Sequence, residues 1–197
     1  MTSQDVLDFW FGPADPAQPD GASRGIWWTR DADFDASIRQ RFFATWQAAC
    51  RGELEDWKGS PDGTLALVIV LDQFSRNLCR DDPGAWAQDP AAVAITLDAI
   101  DRGLDDELSH FGRAFLYMPL MHSEDRAVQV RSIAAFDKLV RLAPASLRAG
   151  AEGNLKFAHM HKDIVDRFGR YPHRNKVLGR ESTDEEVEFL QGPNSSF

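Results

Sequence analysis

The residues of this chain best suited to chemistry are concentrated in one short basic segment, RFGRYPHRNKVLGR at 167–180. It holds four arginines, one lysine, one histidine and one asparagine, and no acidic residue. Arginine binds carboxylate or phosphate groups through two parallel hydrogen bonds, so a rigid loop of this composition is suited to hold an anion. Gly169, Pro172 and Gly179 favour such a loop. The segment predicts either an anion-binding loop or a structural clamp.

In the first interpretation, the side chains that can donate hydrogen bonds to an anion form a ligand-binding cradle: Arg170, His173, Arg174, Asn175 and Arg180. In the second, the arginines pair with Asp72, Glu124 and Asp125 and cap helix ends. A mixture, with some arginines structural and others facing a ligand, also fits the sequence.

A second polar group interrupts the apolar segment LALVIVLDQFSRN at 65–77. Its apolar face runs through Leu65, Val68 and Ile69, and the positions three, four and seven residues further along include Asp72 and Arg76. These two residues are four apart and can pair on one helix face. Charges on a buried face need partners, because burying them unpaired is costly. Gln73 and Asn77 adjoin them at the helix end, where carbonyl groups lack partners. We predict that these four residues also bind the ligand.

A third polar group follows a proline in YMPLMHSED. His122, Asp125 and Gln129 are spaced so that they share one helix face. Ser123 is predicted to cap this helix, which places Glu124 and Asp125 in its first turn, where the helix dipole favours acids. The alternative for the two acids is that they only cap the helix.

His161 is predicted to lie on the apolar face of its helix, four residues after Phe157 and three before Ile164. A lone inward histidine is usually a hydrogen-bonded core residue. Here other inward polar residues accompany it, and such groups usually share a network or line a pocket. Histidine titrates near neutral pH, so the predicted catalytic residues are His122, His161 and Glu124, acting as acid or base.

Other kinds of chemistry have no matching pattern. The histidines and acids lack the HExxH spacing of zinc enzymes, so no metal site is predicted. Ser75 and Ser123 do not lie in nucleophile-elbow sequences, and neither cysteine has an evident histidine partner. No glycine motif for a nucleotide occurs. We expect no cofactor.

The elements that must position these residues are predicted to be helical almost throughout. Apolar residues recur at intervals of three and four residues, and no long alternation of the kind found in strands occurs. The predicted helices end or begin at turn residues and cover about 3–10, 31–51, 65–78, 89–102, 105–117, 123–142, 154–168 and 184–190. Pro119 is predicted to interrupt the chain between two of them. Residues 12–25 are predicted to be loop, and Phe197 could dock. The predicted fold is an all-α, antiparallel helical array forming a single domain over 1–197.

Composition restricts the function classes. The chain has 197 residues and a net charge of −9, which argues against general nucleic-acid binding. No apolar run approaches the length of a membrane span, and no signal peptide is apparent. Cys50 and Cys79 lack CxxC spacing, so we expect two reduced, buried thiols in a cytoplasmic protein.

Four motifs occur in a recognisable order: LDFWFG at 7–12, LDQFSRN at 71–77, YMPLMHSED at 117–125 and RFGRYPHRNKVLGRES at 167–182. Together they resemble the bacterial family catalogued as domain of unknown function 924. The resemblance covers nearly the whole chain and implies a tetratricopeptide-like, all-helical fold with no established activity. The family pattern also matches the candidate site residues named above, whereas Ser75 stands where many relatives have proline.

Three hypotheses about function follow. The first is a pocket for a compact anionic molecule, with or without catalysis. The second is a module that binds a protein or peptide partner, or a second copy of the chain, in the manner of tetratricopeptide arrays. The third is that the polar residues only stabilise the fold.

Overall fold

A computed structural model of the protein describes residues 1–13, 23–193 and 195–196. Every regular element in these residues is helical, which confirms the all-α class. Most of the predicted loop at 12–25 lies outside the described residues, and so does Phe197. Within the described ranges, no helix combines the length and the apolar character needed to cross a bilayer.

The α-helices follow one another along the chain with short connections. They are α1 (Ser3–Phe11), α2 (Ala32–Cys50), α3 (Pro61–Val68), α4 (Ser75–Leu78), α5 (Asp89–Asp101), α6 (His110–His122), α7 (Arg126–Leu142), α8 (Arg148–Phe168) and α9 (Asp184–Phe189). A π-helical turn, Ile69–Phe74, joins α3 to α4 without a break. Short 3-10 turns occupy Gly25–Trp28, Glu55–Gly59, Pro83–Ala85, Leu104–Glu107 and Pro172–Arg174.

The helices form two compact units. Unit 1 comprises Met1–Arg80 and Gly84–Pro119, and unit 2 comprises Asp81–Pro83 and Leu120–Phe197. Unit 1 therefore contains α1 to α5 and most of α6, whereas unit 2 contains the end of α6 and α7 to α9. The single domain over 1–197 and the tetratricopeptide-like arrangement stay predictions.

Aromatic side chains build the core of unit 1. Trp10 meets Phe115 edge to face at 5.4 Å between ring centroids, and Phe42 packs on Phe74 at 5.3 Å. All four rings are almost fully buried. Such rings bury large areas, which makes them dominant contributors to core stability. The aromatic motif LDFWFG therefore belongs to the core of unit 1.

The central helix of unit 1 is buried on all sides, as its uniformly apolar sequence predicts. The π-helical turn within it was not predicted. Hydrogen bonds in such a turn span five residues rather than four, so the helix holds an extra residue there. The turn contains Asp72 and Gln73, and such turns are frequent at functional sites.

An antiparallel helix pair, α7 and α8, forms the framework of unit 2. The guanidinium of Arg126, at the start of α7, donates to the carbonyl oxygen of Asp166 near the end of α8 at 3.0 Å. The N-cap of α7 is Asp125, whose carboxylate accepts from the amides of Ala127 and Val128. The predicted Ser123 cap is therefore wrong, because the Ser123 hydroxyl accepts from the Asp125 amide instead.

Pro119 does not interrupt the chain as predicted. It lies inside α6, which runs from His110 to His122. Proline in a helix interior removes one hydrogen bond and costs about 3 kcal/mol. The neighbouring side chains Leu116, Tyr117 and Leu120 are fully buried, and this burial outweighs the local penalty.

Two burial predictions also fail. Phe157 is 48% exposed, because the buried stripe of α8 runs through Ala158, His161 and Val165 and leaves Phe157 at its edge. Cys50 and Cys79 were expected to be buried, but both are partly exposed.

Candidate functional site

Unit 2 gathers eight of the predicted site residues in one region, whose contacts centre on Tyr171. Together with Tyr171, these eight residues form what we call the histidine–arginine cluster: His122, Glu124, His161, Arg170, Tyr171, His173, Arg174, Asn175 and Arg180. The other four predicted residues, Asp72, Gln73, Arg76 and Asn77, belong to unit 1. That both groups bind one ligand stays a prediction.

The basic segment forms a closed loop after α8. Gly169 ends the helix with a φ of 69°, a left-handed conformation that glycine adopts without strain. The chain then makes the 3-10 turn Pro172–Arg174. The Arg180 amide donates to the Asn175 carbonyl at 2.8 Å and closes the loop. The loop can therefore hold its side chains in defined positions.

Arg180 pairs with Glu124, which precedes α7. Its two terminal nitrogens donate to the two carboxylate oxygens at 2.7 and 2.9 Å, and the Tyr171 amide donates to the same carboxylate at 2.8 Å. Burial would raise the pKa of Glu124, but the hydrogen bonds from Arg180 and from the Tyr171 amide outweigh it and lower that pKa. Glu124 is thus a charged structural partner of this loop.

Arg170 pairs with Glu186, at the start of α9. Its guanidinium nitrogens donate to the two carboxylate oxygens at 2.6 and 2.8 Å, and Glu186 is only 2% exposed. The carboxylate also accepts from the Thr183 amide and from Asn175. The Arg170 hydrogen bond, followed by these contacts, lowers the pKa of Glu186 to about 2. A capping box with Thr183 as the N-cap, which the sequence STDEE at 182–186 indicates, is present, but the sequence did not indicate the pairing of Glu186 with Arg170.

Arg174 caps the end of α6. One terminal nitrogen donates to the His122 carbonyl at 2.9 Å, where the helix dipole favours a cation. The guanidinium carbon lies 4.5 Å from the centre of the Tyr171 ring, within the range of a cation–π contact. Arg174 is 6% exposed. Its charge therefore lies inside the cluster, close to the aromatic ring.

Tyr171 and Gln129 take part in the contacts of this region, although neither was predicted to be a site residue. The Tyr171 hydroxyl donates to the Met121 carbonyl and accepts from the Gln129 amide at 2.9 Å. Gln129 also donates to the carbonyls of Met121 and Ser123. Both side chains thus form hydrogen bonds with carbonyl groups at the end of α6 that lack partners within the helix. The shared helix face of Gln129 and His122 was the available signal for Gln129.

Two histidine rings lie next to Tyr171, and a third lies next to one of them. The His161 ring meets the Tyr171 ring nearly edge on at 5.7 Å, the His173 ring lies 5.7 Å from it, and His122 lies 6.2 Å from His161. Nδ1 of His161 lies 2.8 Å from the Phe157 carbonyl oxygen. This contact assigns the proton of a neutral His161 to Nδ1 and leaves Nε2 as the acceptor.

Burial and nearby positive charge keep two of these histidines neutral. Burial, with the charges of His122 and Arg174, lowers the pKa of His161 to about 3. Burial and the charge of Arg174 lower the pKa of His173 to about 4. Strongly shifted pKa values often mark functional sites. In the part of the chain that the structure describes, no group of three or more histidine, cysteine or acidic side chains is arranged to hold a metal ion.

The predicted residues of unit 1 form an ion-pair network. Arg76 contacts the carboxylates of Asp72 at 2.9 Å and Asp89 at 3.0 Å, and Gln73 donates to Asp72. The sequence Asp89-Pro90 favours Asp89 as the N-cap of α5, but the N-cap is Gln88 and the Asp89 carboxylate contacts Arg76.

The fourth predicted residue of unit 1, Asn77, takes part in a second set of contacts. Its side chain donates to the Asp35 carboxylate at 2.7 Å, and that carboxylate also pairs with Arg80. This contact joins α4 to α2. The contacts of Asn77 thus favour a structural role.

Comparisons with known proteins extend along nearly the whole chain. A family described as "Bacterial protein of unknown function (DUF924)" matches residues 6–194. A solved structure of a protein of unknown function from Agrobacterium tumefaciens is similar, with 39% sequence identity and a TM-score of 0.79 over 96% of this chain and 97% of that chain. No curated protein matches this sequence. The matched range contains all the candidate site residues.

Proposed function

The chain belongs to the DUF924 family of bacterial proteins of unknown function, and from this premise we propose that the histidine–arginine cluster binds a compact anion and takes up a proton. The observation that carries the proposal is the placement of His161 and His173, both neutral near pH 7, around Tyr171, with Arg174 over the tyrosine ring. The ligand class is a small carboxylate or phosphate.

The charges of the cluster favour an anion. Arg170 and Arg180 each pair with a carboxylate, which assigns them to the structural clamp. Arg174 brings a further positive charge next to the imidazoles, and this charge lowers the pKa of both His161 and His173. An anion beside Arg174 would oppose that effect, because a nearby negative charge favours the protonated form of histidine. The mixed interpretation of the basic segment therefore fits best.

The burial of the cluster limits the size of the ligand. His161 and Arg174 are 5% and 6% exposed, whereas His122 and His173 are partly exposed. A ligand would approach past the two partly exposed histidines and could cover only a small area. A compact anion meets this limit better than a peptide does.

Proton uptake gives the site an acid–base function. When an anion binds, a solvent proton would be taken up at the ring of His161 or His173. On His161 the receiving atom would be Nε2, because Nδ1 already carries the proton that faces the Phe157 carbonyl. Binding would then tighten as the pH falls from 7, until the ligand itself becomes protonated. An acid–base role of His122 or His161 in catalysis would depend on this step, whereas the pairing of Glu124 with Arg180 favours a structural role for Glu124.

The test is a titration of the imidazole groups by nuclear magnetic resonance, with inorganic phosphate and with acetate as probes. We expect either probe to raise the titration midpoints of His161 and His173. The ring resonances of His159, which is exposed on α8, provide an internal control and should not respond to either probe. Midpoints of His161 and His173 that are unaffected by both anions would overturn the proposal in favour of a purely structural cluster.

A variant comparison separates binding from folding. Arg174→Lys keeps a positive charge but loses the planar contact with Tyr171, and should weaken anion binding in a protein that stays folded. Arg141→Lys changes an exposed arginine of α7 that pairs with Asp137, and should leave anion binding unchanged. Equal binding by both variants would count against a ligand role for Arg174.

A further inference from the structure

Unit 1 contains a cavity of about 230 Å³ between α2, α3, α5 and the turn at Glu55–Gly59. Its floor is apolar and buried, and consists of Leu67, Leu71 and Ile95. None of the residues around it belongs to the histidine–arginine cluster. It is therefore a separate candidate site, independent of the function proposed above.

Small residues surround the floor of this cavity and leave it open to solvent. They include Ala49 and Cys50 at the end of α2 and the exposed residues Ala91 and Ala94 on α5. At the packing density of protein interiors, a ligand that fills this volume would occupy about 170 Å³, or roughly ten non-hydrogen atoms. An unbranched chain of about eight carbons has this size.

Charged groups lie on one side of the opening. Lys58 and Glu55 line it, and the Lys58 ammonium contacts both Glu55 oxygens at 2.7 Å. Lys58 is the more buried partner, with a side chain 31% exposed against 64% for Glu55. Solvent-exposed ion pairs stabilise a fold by only about 0–1 kcal/mol. A ligand carboxylate could therefore replace Glu55 beside the ammonium at little cost.

We propose that this cavity binds a small amphiphile with an alkyl chain of about eight carbons and a carboxylate head group. The chain lies on Leu67, Leu71 and Ile95, and the carboxylate pairs with Lys58. Apolar burial supplies most of the affinity, and the ammonium supplies the preference for an acid.

Cys50 provides a direct readout of occupancy, because its thiol group belongs to a residue that lines the cavity. The chain has two cysteines, so Cys79→Ser leaves Cys50 as the single thiol. Octanoate, below its micelle concentration, should slow the alkylation of Cys50 by N-ethylmaleimide in a saturable manner. At ten times the Kd, the rate should fall about tenfold. An alkylation rate that octanoate leaves unchanged would overturn the proposal.

Head-group preference is tested with octan-1-ol and octylamine as probes of the same chain length. Lys58→Met should weaken octanoate binding about threefold, and Glu55→Gln should tighten it by a similar factor, because it removes the competing carboxylate. Neither variant should change the binding of octan-1-ol. Glu53→Gln makes the same charge change in a neighbouring exposed pair and should have no effect. Equal protection of Cys50 by all three probes would reject the carboxylate.

A filled cavity is the final control. Ala94→Leu should occupy the space and abolish protection by octanoate, whereas Ala36→Leu on the exposed face of α2 should not. Circular dichroism and the Tm establish that both variants fold, and Ala91→Leu replaces Ala94→Leu if the latter does not. Full protection of Cys50 in a folded, filled variant would show that octanoate binds elsewhere.

Discussion

Arg180 holds both carboxylate oxygens of Glu124, at 2.7 and 2.9 Å, although 56 residues separate the two in sequence. The same arginine donates to the Tyr171 carbonyl at 3.1 Å and to the Asn175 side chain at 3.0 Å. One guanidinium therefore fixes the conformation of the basic loop and also attaches it to the segment before α7. Of the three histidines, only His173 lies on this loop, so the attachment bears on its position beside Tyr171.

Replacing Glu124 should reveal the strength of this attachment. Glu124→Gln removes the charge that holds Arg180 and should reduce the free energy of unfolding by about 1–3 kcal/mol. The measurement is denaturation by urea at pH 7. As a control, Glu185→Gln alters the exposed pair with Arg167, whose side chains are 61% and 51% exposed, and should cost less than about 1 kcal/mol. Equal losses in the two variants would contradict a structural role for Glu124.

Glu186 should also be sensitive to replacement. Glu186→Gln keeps the shape of the side chain but leaves Arg170, whose side chain is 28% exposed, facing a neutral group. We expect the free energy of unfolding to fall, but by less than the roughly 3 kcal/mol typical of fully buried pairs, because solvent reaches the remaining charge. A double-mutant cycle with Arg170→Met measures the coupling between the two residues. Additive effects of the two changes would show that the pair contributes no coupling energy.

The ion pairs of unit 1 give a prediction about how the effect of a substitution on stability depends on pH. Arg76→Met removes the guanidinium between Asp72 and Asp89, and should destabilise the protein by about 3 kcal/mol at pH 7. The loss should be smaller at pH 5, because one of the two carboxylates can then take up a proton. Urea denaturation of wild type and variant at both pH values provides the check. A deficit that grows as the pH falls would contradict this explanation.

The histidines should make the fold sensitive to mild acid. The pKa of His161 is about 3 in the folded protein and 6.5 for an ordinary histidine, so the unfolded chain binds more protons between these values. The contribution of His161 to stability is therefore complete above pH 6.5 and is lost as the pH falls towards 3. His173 acts in the same direction between 6.5 and about 4.

The expected slope of the unfolding free energy is up to about 1.4 kcal/mol per pH unit for each histidine. Urea denaturation from pH 8 to pH 5 measures this slope. His161→Gln should reduce it, whereas His159→Gln, at an exposed position of the same helix, should leave it unchanged. A slope that is equal in wild type and in His161→Gln would show that His161 is not held neutral by the fold.

Much of the local structure could be predicted because it depends on neighbouring residues. A cap at Asp31 or Asp33, the capping box before α9 and the inward position of His161 follow from spacing within a few residues, and the cap of α2 is Asp31. The π-helical turn could not be predicted, because a segment that is apolar on every face has no periodicity to reveal an extra residue. The helix through Pro119 could not be predicted either, because burial outweighed the proline penalty.

The candidate site was predicted as a set of residues but not as a set of contacts. The sequence indicated that the arginines need acidic partners, and Glu124 was among the partners considered. It did not indicate Glu186 for Arg170 or Asp89 for Arg76, because both acids already had a local explanation at the start of a helix. For an acid at the start of a helix, such as Glu186 or Asp89, the sequence indicates the local role but not a second contact that depends on tertiary structure.

The π-helical turn Ile69–Phe74 also has a consequence for how this helix tolerates changes in length. Deleting one residue, such as Val70, would allow the whole segment to close as a regular α-helix. Because a π-helical turn advances by a smaller angle per residue than an α-helix, losing its extra residue would leave the residues beyond it close to their present angles around the helix axis. Arg76 would still face Asp89, and Asn77 would still face Asp35. The turn therefore allows this helix to lose one residue while α4 keeps its angular phase, whereas a one-residue deletion within the regular helix α5 would rotate every later residue of that helix by about 100°.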